Sequence, residues 1–477
     1  MKTTGNALWL TACRLSGDVL NLLLFVLISR RFGPGGAGAY SYGFAIATFG
    51  FVIACLGIEE YGLRQYSRLA EDTRPAFLGE LLGTQAAMVA LAVLGLAVYL
   101  LVTRPDEATL IMVCALGYYQ ITAAIAPTLF IPAMAQQRMV GPALAELTAR
   151  TIAFSVAGVA IGFFRAPLAF AVLGYPFAAV VWLTLAIRSV RRNAPRMRIV
   201  RSWPRIRKIM AALGSFALLE IFAQLFSRVG IISLTLGVGE AAAGVFATGL
   251  RLIEVALMPL SFFGMASYPR LSRLFATQPP LFRRSAADLL WLMVFGGCLV
   301  AWGLYFVAPL LLVPVLGERF AGAEPMIQTM AVFALVQAIE VGLGRIMLCA
   351  DRQAANAGFI AIGAIVGLIL NVVLVPRWGV DGAIYAGAAA FVVVDILCIG
   401  ALQRPLGAGT LLRMLLSLCL AVGAAAGVAA LVARGGFSAL LQAVACAVIL
   451  VLIGAAGYRL RHRGDPEMRW QDMTERR

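Results

Sequence analysis

Apolar residues fill this chain in blocks of about 20, divided by short polar stretches, almost from end to end. A helix rising 1.5 Å per residue crosses a hydrocarbon core of roughly 30 Å with a block of that length. No block alternates with period two, which argues against the strands of a membrane barrel. The pattern predicts an all-α membrane protein of about 14 transmembrane helices. They fall near 8–29, 39–58, 78–102, 108–135, 142–163, 167–188, 209–236, 242–268, 286–312, 325–349, 355–376, 381–401, 409–433 and 437–459.

Composition agrees with that class. The 477 residues are 61% hydrophobic and 13% charged, and mean hydropathy is +0.90. A soluble domain carries about 25% charge. The opening stretch MKTTGNALWLTACRLSGDVLNLLLFVLISRR has charges in mid-run and continues into a full-length span. It is therefore expected to stay as the first helix rather than be cleaved as a leader.

An even number of spans puts both termini on one side, and the basic residues decide which. With cytoplasmic termini, about 27 of the 39 Lys and Arg fall on inner segments and about 7 in outer loops. This predicts a multi-pass protein of the bacterial inner membrane with both termini cytoplasmic. The same distribution accounts for the net charge of +16. Spread over many short loops, these cations suit topology and contact with membrane lipids, and nucleic acid is not an expected partner.

A repeat organises the spans. Gly33, Ala37, Gly38, Tyr40 and Gly43 recur as Gly239, Ala243, Gly244, Phe246 and Gly249, at an offset of 206. In the preceding helices that offset carries Arg14, Asp18 and Asn21 onto Glu220, Gln224 and Ser227. Positions i, i+4 and i+7 share a helical face, so both helices carry a polar stripe in corresponding places. A parallel repeat after six helices implies two six-helix lobes related by a pseudo-two-fold axis along the membrane normal. The expected organisation is an N-terminal lobe at 1–190, a basic cytoplasmic linker at 191–208 and a C-terminal lobe at 209–403. Helices 13 and 14 follow at 404–460, then a cytoplasmic tail at 461–477.

Several ionisable residues fall inside spans: Arg14, Asp18, Glu146, Arg150, Glu220, Arg228, Arg251, Glu254, Glu340, Arg345 and Asp395. Each costs roughly 2.5–3.5 kcal/mol at mid-bilayer, so each needs a partner or a wet cavity. Arg14–Asp18, Glu146–Arg150 and Arg251–Glu254 are spaced to meet on one face as ion pairs. Glu146, Arg345 and the pair Glu59–Glu60 suit mutual neutralisation or snorkelling at helix ends. The charges of the first, seventh and eighth helices open each repeat, where a passage between lobes would be lined. Arginine there can grip phosphate oxygens in bidentate fashion. Pro127 and Pro132 interrupt the fourth helix, and Pro259 and Pro269 mark the eighth and its exit, as moving lobes tolerate. The eight cysteines lie in apolar runs without metal-ligand spacing, and the one histidine, His462, sits in the tail. Packing roles are expected for the former, and neither zinc chemistry nor a histidine proton relay is.

Four stretches carry a resemblance to a known family: SRRFGPGGAGAYSYGFAI from Ser29, CLGIEEYGLRQYSRLA from Cys55, GEAAAGVFATGLRLIEVALMPLSFFGMASYPRLSRLF from Gly239 and LNVVLVPRWGVDGAIYAG from Leu370. In them the chain resembles the polysaccharide biosynthesis transporters, or Wzx-type oligosaccharide flippases, of the MOP exporter superfamily. The resemblance implies a V-shaped pair of six-helix lobes that exports undecaprenyl-pyrophosphate-linked sugar units by alternating access. It also implies that Arg14 and Arg251, with Arg228 nearby, meet the pyrophosphate. The chain departs from this pattern in placing Glu220 at the repeat-mate of Arg14.

The expectation is thus a flippase for polyprenyl-pyrophosphate-linked glycan, not an enzyme. It needs no cofactor, but coupling to H+, Na+ or membrane potential is open. Asp18, Asn21, Glu220, Gln224, Glu254, Glu340 and Asp395 are the candidate ion-coupling or cavity-lining polar residues. Other polysaccharide assembly proteins are further candidate partners. A multidrug/cation antiporter of the same superfamily is one alternative, against which several cavity arginines would repel cations. A membrane-embedded polymerase or ligase is another; short outer loops and the lack of a nucleophile–base pair oppose it.

Overall fold

The computed structural model of the chain describes residues 2–194, 203–407 and 423. Predicted helices 13 and 14, the middle of the basic linker and the tail lie outside the described residues. Every long element is α-helical, and no strand occurs among the described residues. Ten helices there are long and apolar enough to cross a membrane. The elements run α1 (Lys2–Cys55), α2 (Ile58–Arg68), α3 (Arg74–Thr103), α4 (Glu107–Ala135), α5 (Val140–Gly162), α6 (Leu168–Ala171) and α7 (Gly174–Asn193). They continue as α8 (Trp203–Gly237), α9 (Glu240–Thr277), α10 (Pro279–Trp302), α11 (Ala308–Leu316), α12 (Glu324–Cys349) and α13 (Gln353–Leu406).

Two of these are paired apolar runs on either side of a glycine. Within α1 the helix breaks at Gly33 (φ 72°, ψ −165°), and within α13 at Gly379 (φ 56°, ψ −127°). Both glycines occupy left-handed backbone that L-residues rarely adopt. Pro34 reinforces the first break, because a residue before proline is pushed out of helical geometry. Proline then opens the second run, where its missing N–H costs nothing. The ninth predicted span is likewise interrupted: α10 passes through a π-helical turn at Gly303–Val307 before α11. The prolines of the fourth and eighth spans cause no such break. Helix α4 continues through Pro127 and Pro132, and α9 through Pro259 and Pro269.

Two compact units are distinguishable, and α9, α11 and α13 contribute to both. The first comprises residues up to Thr248 together with Val313–Ala321 and Ile360–Ala386. Its interior packs α1, α3, α4, α5 and α7 around small residues and buried aromatics. Tyr40 and Tyr175 share a hydroxyl hydrogen bond of 2.6 Å, and Tyr119 stands edge-on to Tyr175 at 5.0 Å. Polar ties satisfy groups inside the apolar interior: Gln120 Nε2 donates to Thr48 Oγ1 at 3.1 Å, and Gln85 Nε2 to the Ala124 carbonyl at 2.8 Å. The repeated glycines meet here. A Cβ on Gly38 would collide with the Glu240 carbonyl, and one on Gly244 with the Pro34 carbonyl. Each such Cβ would also come within 2.9 Å of the other glycine's backbone nitrogen. Residues 34 and 240, like 38 and 244, are separated by the repeat offset of 206, so this helix crossing is reciprocal.

The second unit comprises Gly249–Leu312, Gly322–Phe359 and the stretch beginning at Gly387. Helices α10 and α12 form its centre, where Leu290, Met293, Ile327, Met330, Leu343, Ile346 and Met347 are sealed from solvent. Gly297 and Gly342 let these helices approach, the first against Ala338 and the second against Met293. Phe333 packs edge-on to Phe391 at 5.3 Å and ties in the last part of α13.

Candidate functional site

In the first unit the charges collect on α1, α2, α5 and α8. Sequence spacing suggests that Asp18 pairs with Arg14, but it binds Arg150 of α5 instead. Arg150 Nη1 donates to Asp18 Oδ1 and Nη2 to Glu146 Oε1, each at 2.6 Å. One guanidinium thus spans two helices with a bond from each end of its fork. Gly17 makes the crossing possible: a Cβ there would lie 2.5 Å from Arg150 Cδ. Glu146 pairs with Arg150 as the i,i+4 spacing suggests, yet the pair also anchors α5 to α1.

Arg14 is left exposed, with no carboxylate within 4 Å among the described residues. Glu59 on α2 lies within its electrostatic reach, and Glu59 in turn senses Glu60 and Glu146. Glu220 on α8 accepts a hydrogen bond of 3.0 Å from Gln224 Nε2, so the polar stripe of that helix is internally linked. Ser227, its third member, donates to the Gln224 carbonyl. Asn21 is half-buried on α1. Arg228 lies over the Phe44 ring, 5.8 Å from its centroid, a cation–π contact between α8 and the second run of α1.

In the second unit Arg251 Nη1 meets Glu254 Oε2 at 2.8 Å, as their i,i+3 spacing predicts. A second polar group joins α12 and α13. Asp395 is buried, with Oδ1 lacking a hydrogen-bond partner, and lies within electrostatic reach of Glu340. Cys398, one turn beyond Asp395, donates its Sγ–H to Asn356 Oδ1 at 3.4 Å. Glu340 Oε1 and Asn356 Nδ2 both face the space above Gly344, at 3.3 Å and 3.9 Å from where its Cβ would lie. Arg345 tempers Glu340 electrostatically.

The structure brings the predicted polar residues together in smaller groups: Asp18 with Glu146 and Arg150, Glu220 with Gln224, Arg251 with Glu254, and Glu340 with Asp395. It places Arg228 over Phe44, and it shows no contact that joins Arg14 or Asn21 to these groups among the described residues. Sequence reasoning missed Arg150 as an organiser, and Asn356 and Cys398 as neighbours of the carboxylates. The glycine four residues before Asn21 was the available signal for Arg150, because a small residue in a charged helical face admits a long side chain. No group of three or more metal-ligating side chains occurs among the described residues. The cysteines described there are all free; Cys13, Cys298, Cys349 and Cys398 are buried, whereas Cys114 is exposed.

Ten long apolar helices among the described residues, carrying ionised groups within the spans, define a multi-pass membrane protein. The solved structure of the lipid II flippase MurJ, in an inward closed conformation, superposes with a TM-score of 0.74 at 12% identity. That match covers 95% of this chain and 99% of the other. An inward-facing multidrug resistance MATE family transporter of the MOP superfamily follows at TM-score 0.61 and 10% identity, over 82% and 95% of the two chains. The MATE multidrug transporter DinF-BH gives 0.54 at 16% identity, over 84% and 95%. No curated protein matches the sequence. The family model for polysaccharide biosynthesis proteins matches residues 4–275, and the chain belongs to that family. The solved structures that share this fold are those of a flippase and of transporters.

Proposed function

We propose that this protein flips a polyprenyl-pyrophosphate-linked oligosaccharide across the bacterial inner membrane for surface polysaccharide assembly, by alternating access of two six-helix lobes. The observation that carries this is Arg14. It is an arginine inside an apolar span, with its neighbouring aspartate drawn away to Arg150, so that its guanidinium is left exposed and without an ion-pair partner among the described residues. Burying such a cation is costly unless it borders a wet passage, and an unpaired fork suits an anion. Arg228 and Arg251 complete the proposed pyrophosphate contacts. The family's role in polysaccharide biosynthesis and the fold shared with a lipid II flippase support the substrate class.

Coupling to an ion gradient falls to Glu340 and Asp395 in this scheme. Asp18 and Glu254 are engaged by arginines and Glu220 by Gln224, whereas Asp395 Oδ1 has no hydrogen-bond partner among the described residues. A carboxylate held this way can take up and release H+ or Na+ as its surroundings open and close.

One observation favours a second reading, a cation antiporter. Around Arg14, carboxylates outnumber arginines: Glu59, Glu60 and Glu146 all act on one neighbourhood, and Glu220 reaches Cys55 nearby. The two are separated by complementation in a strain lacking its own flippase. Arg14→Gln and Arg251→Gln should abolish surface polysaccharide with membrane abundance unchanged. Full polysaccharide in both variants would overturn the flippase assignment, and arginine-independent dye efflux by the wild type would establish the antiporter.

A further inference from the structure

We propose that Arg30, Arg31 and Arg319 form a second pyrophosphate-binding station, at the end of the first span remote from Arg14. This rests on the flippase function above. The helix break at Gly33 builds it. A helix ending there leaves its last carbonyls without intrahelical donors, and Arg319 Nη1 donates to the Arg31 carbonyl at 2.9 Å. Helix α11 ends at Leu316, and Arg30 Nη2 donates to the Pro314 carbonyl, also at 2.9 Å. Each arginine thus caps the other's helix. The Arg319 stem lies across Gly33, where a Cβ would come within 2.9 Å of Arg319 Cδ. Phe320, 1% exposed, pins the Glu318–Phe320 turn that presents it.

The result is three exposed guanidinium groups at one corner of the first unit. None has a carboxylate within 4 Å among the described residues, and Arg31 makes no side-chain hydrogen bond there. A guanidinium has five N–H donors, and capping uses one on Arg30, one on Arg319 and none on Arg31. Topology does not account for the cluster either. These are three of the roughly 7 arginines on the side where cations are scarce. Arg30 follows Arg14 by 16 residues on the same helix, about 24 Å along its axis and most of the hydrocarbon thickness. One helix would then carry a phosphate contact at each level of the bilayer. Three cations match a pyrophosphate, with two phosphates and at least two negative charges, better than a phosphodiester headgroup carrying one.

The test uses the full-length protein in neutral phosphatidylcholine nanodiscs, with undecaprenyl pyrophosphate, phosphatidylglycerol and inorganic pyrophosphate as separate probes. Arg31→Glu is the informative variant, since Arg31 holds no internal hydrogen bond; Arg30→Gln and Arg319→Gln keep an amide donor for the capped carbonyls. Arg31→Glu should weaken undecaprenyl pyrophosphate binding about tenfold with an unchanged melting temperature. Wild-type affinity in Arg31→Glu and in the triple variant, with Arg14-dependent binding intact, sinks the station alone. A loss confined to phosphatidylglycerol also overturns it, in favour of a membrane-lipid site. A wild type that binds no undecaprenyl pyrophosphate sinks both the station and the flippase.

Discussion

Replacing Arg150 with alanine should destabilise the first unit more than any other single charge removal in α1 or α5. The guanidinium makes two charge-assisted hydrogen bonds of 2.6 Å, to Asp18 and to Glu146. Such bonds contribute about 1.5–3 kcal/mol each when shielded from water. The two arms are not equal. Side-chain exposure is 46% at Asp18 but 22% at Glu146 and 20% at Arg150. The Asp18 arm therefore behaves as a surface pair worth up to about 1 kcal/mol, and the Glu146 arm keeps most of its range. The sum is about 2–4 kcal/mol for Arg150→Ala. Asp18→Asn should cost about 1 kcal/mol or less, and Glu146→Gln should fall between. Arg150→Lys recovers only part, because one ammonium on a flexible stem cannot fork between two helices. Unfolding of the purified variants in mixed detergent micelles gives the ranking, and the Arg150→Ala/Asp18→Asn double variant gives the coupling. If Arg150→Ala unfolds with the wild type, or Asp18→Asn proves the more damaging, the clamp is not what holds α1 to α5.

Three further outcomes follow from the geometry. Gly38→Ala or Gly244→Ala drives a Cβ into a main-chain carbonyl that cannot rotate away; each should cost about 3 kcal/mol or more by overpacking. The double variant should cost less than the sum, since either substitution alone already separates the helices; strict additivity of unfolding energies would refute the reciprocal contact. Asp395→Asn and Glu340→Gln should leave the protein folded but abolish the dependence of transport on an imposed ion gradient, measured in proteoliposomes; retention of that dependence in both removes them from coupling. Gly33→Ala, at φ 72°, should strain the break that α1 needs. It should lower thermal stability while Gly35→Ala, with open space around its Cβ, stays at wild type.

The fold was legible because a bilayer imposes a coarse rule on sequence: about 20 apolar residues per crossing. That rule located every long described helix, including the two halves of α1 and α13. It did not reveal that α1 and α13 each run as one helix broken at a single glycine. Hydropathy separates spans by the polarity between them, here Ser29–Arg31 and Arg377–Asp381, and does not show that helical backbone resumes directly beyond Gly33 and Gly379. The ninth span is one stretch, as hydropathy placed it, and the π turn at Gly303–Val307 within it leaves hydropathy untouched. The glycine repeat was visible as a spacing, but its purpose needed coordinates: Gly38 and Gly244 are repeat-mates because each is where the other's helix crosses.

The pairing of the in-span charges was only partly legible. Spacing along one helix finds partners at i,i+3 and i,i+4, and it succeeded for Arg251–Glu254 and Glu146–Arg150. It failed for Arg14–Asp18, because a carboxylate takes the best-oriented cation, and Arg150 approaches from another helix over Gly17. That difference matters for function. An Arg14–Asp18 pair would be neutral and would give an anion little to bind. With Asp18 committed to Arg150, the local charge splits into a clamp of Asp18, Glu146 and Arg150 carrying one net negative charge, and an Arg14 with no ion-pair partner among the described residues. The clamp also sets a condition on Arg14: it stands beside Glu59, so the field a substrate meets depends on how near that carboxylate stays when the site opens. A headgroup with two phosphates can compete with one glutamate for a guanidinium where a singly charged ion cannot, and on that competition the preference for a lipid-linked pyrophosphate over a simple anion would rest.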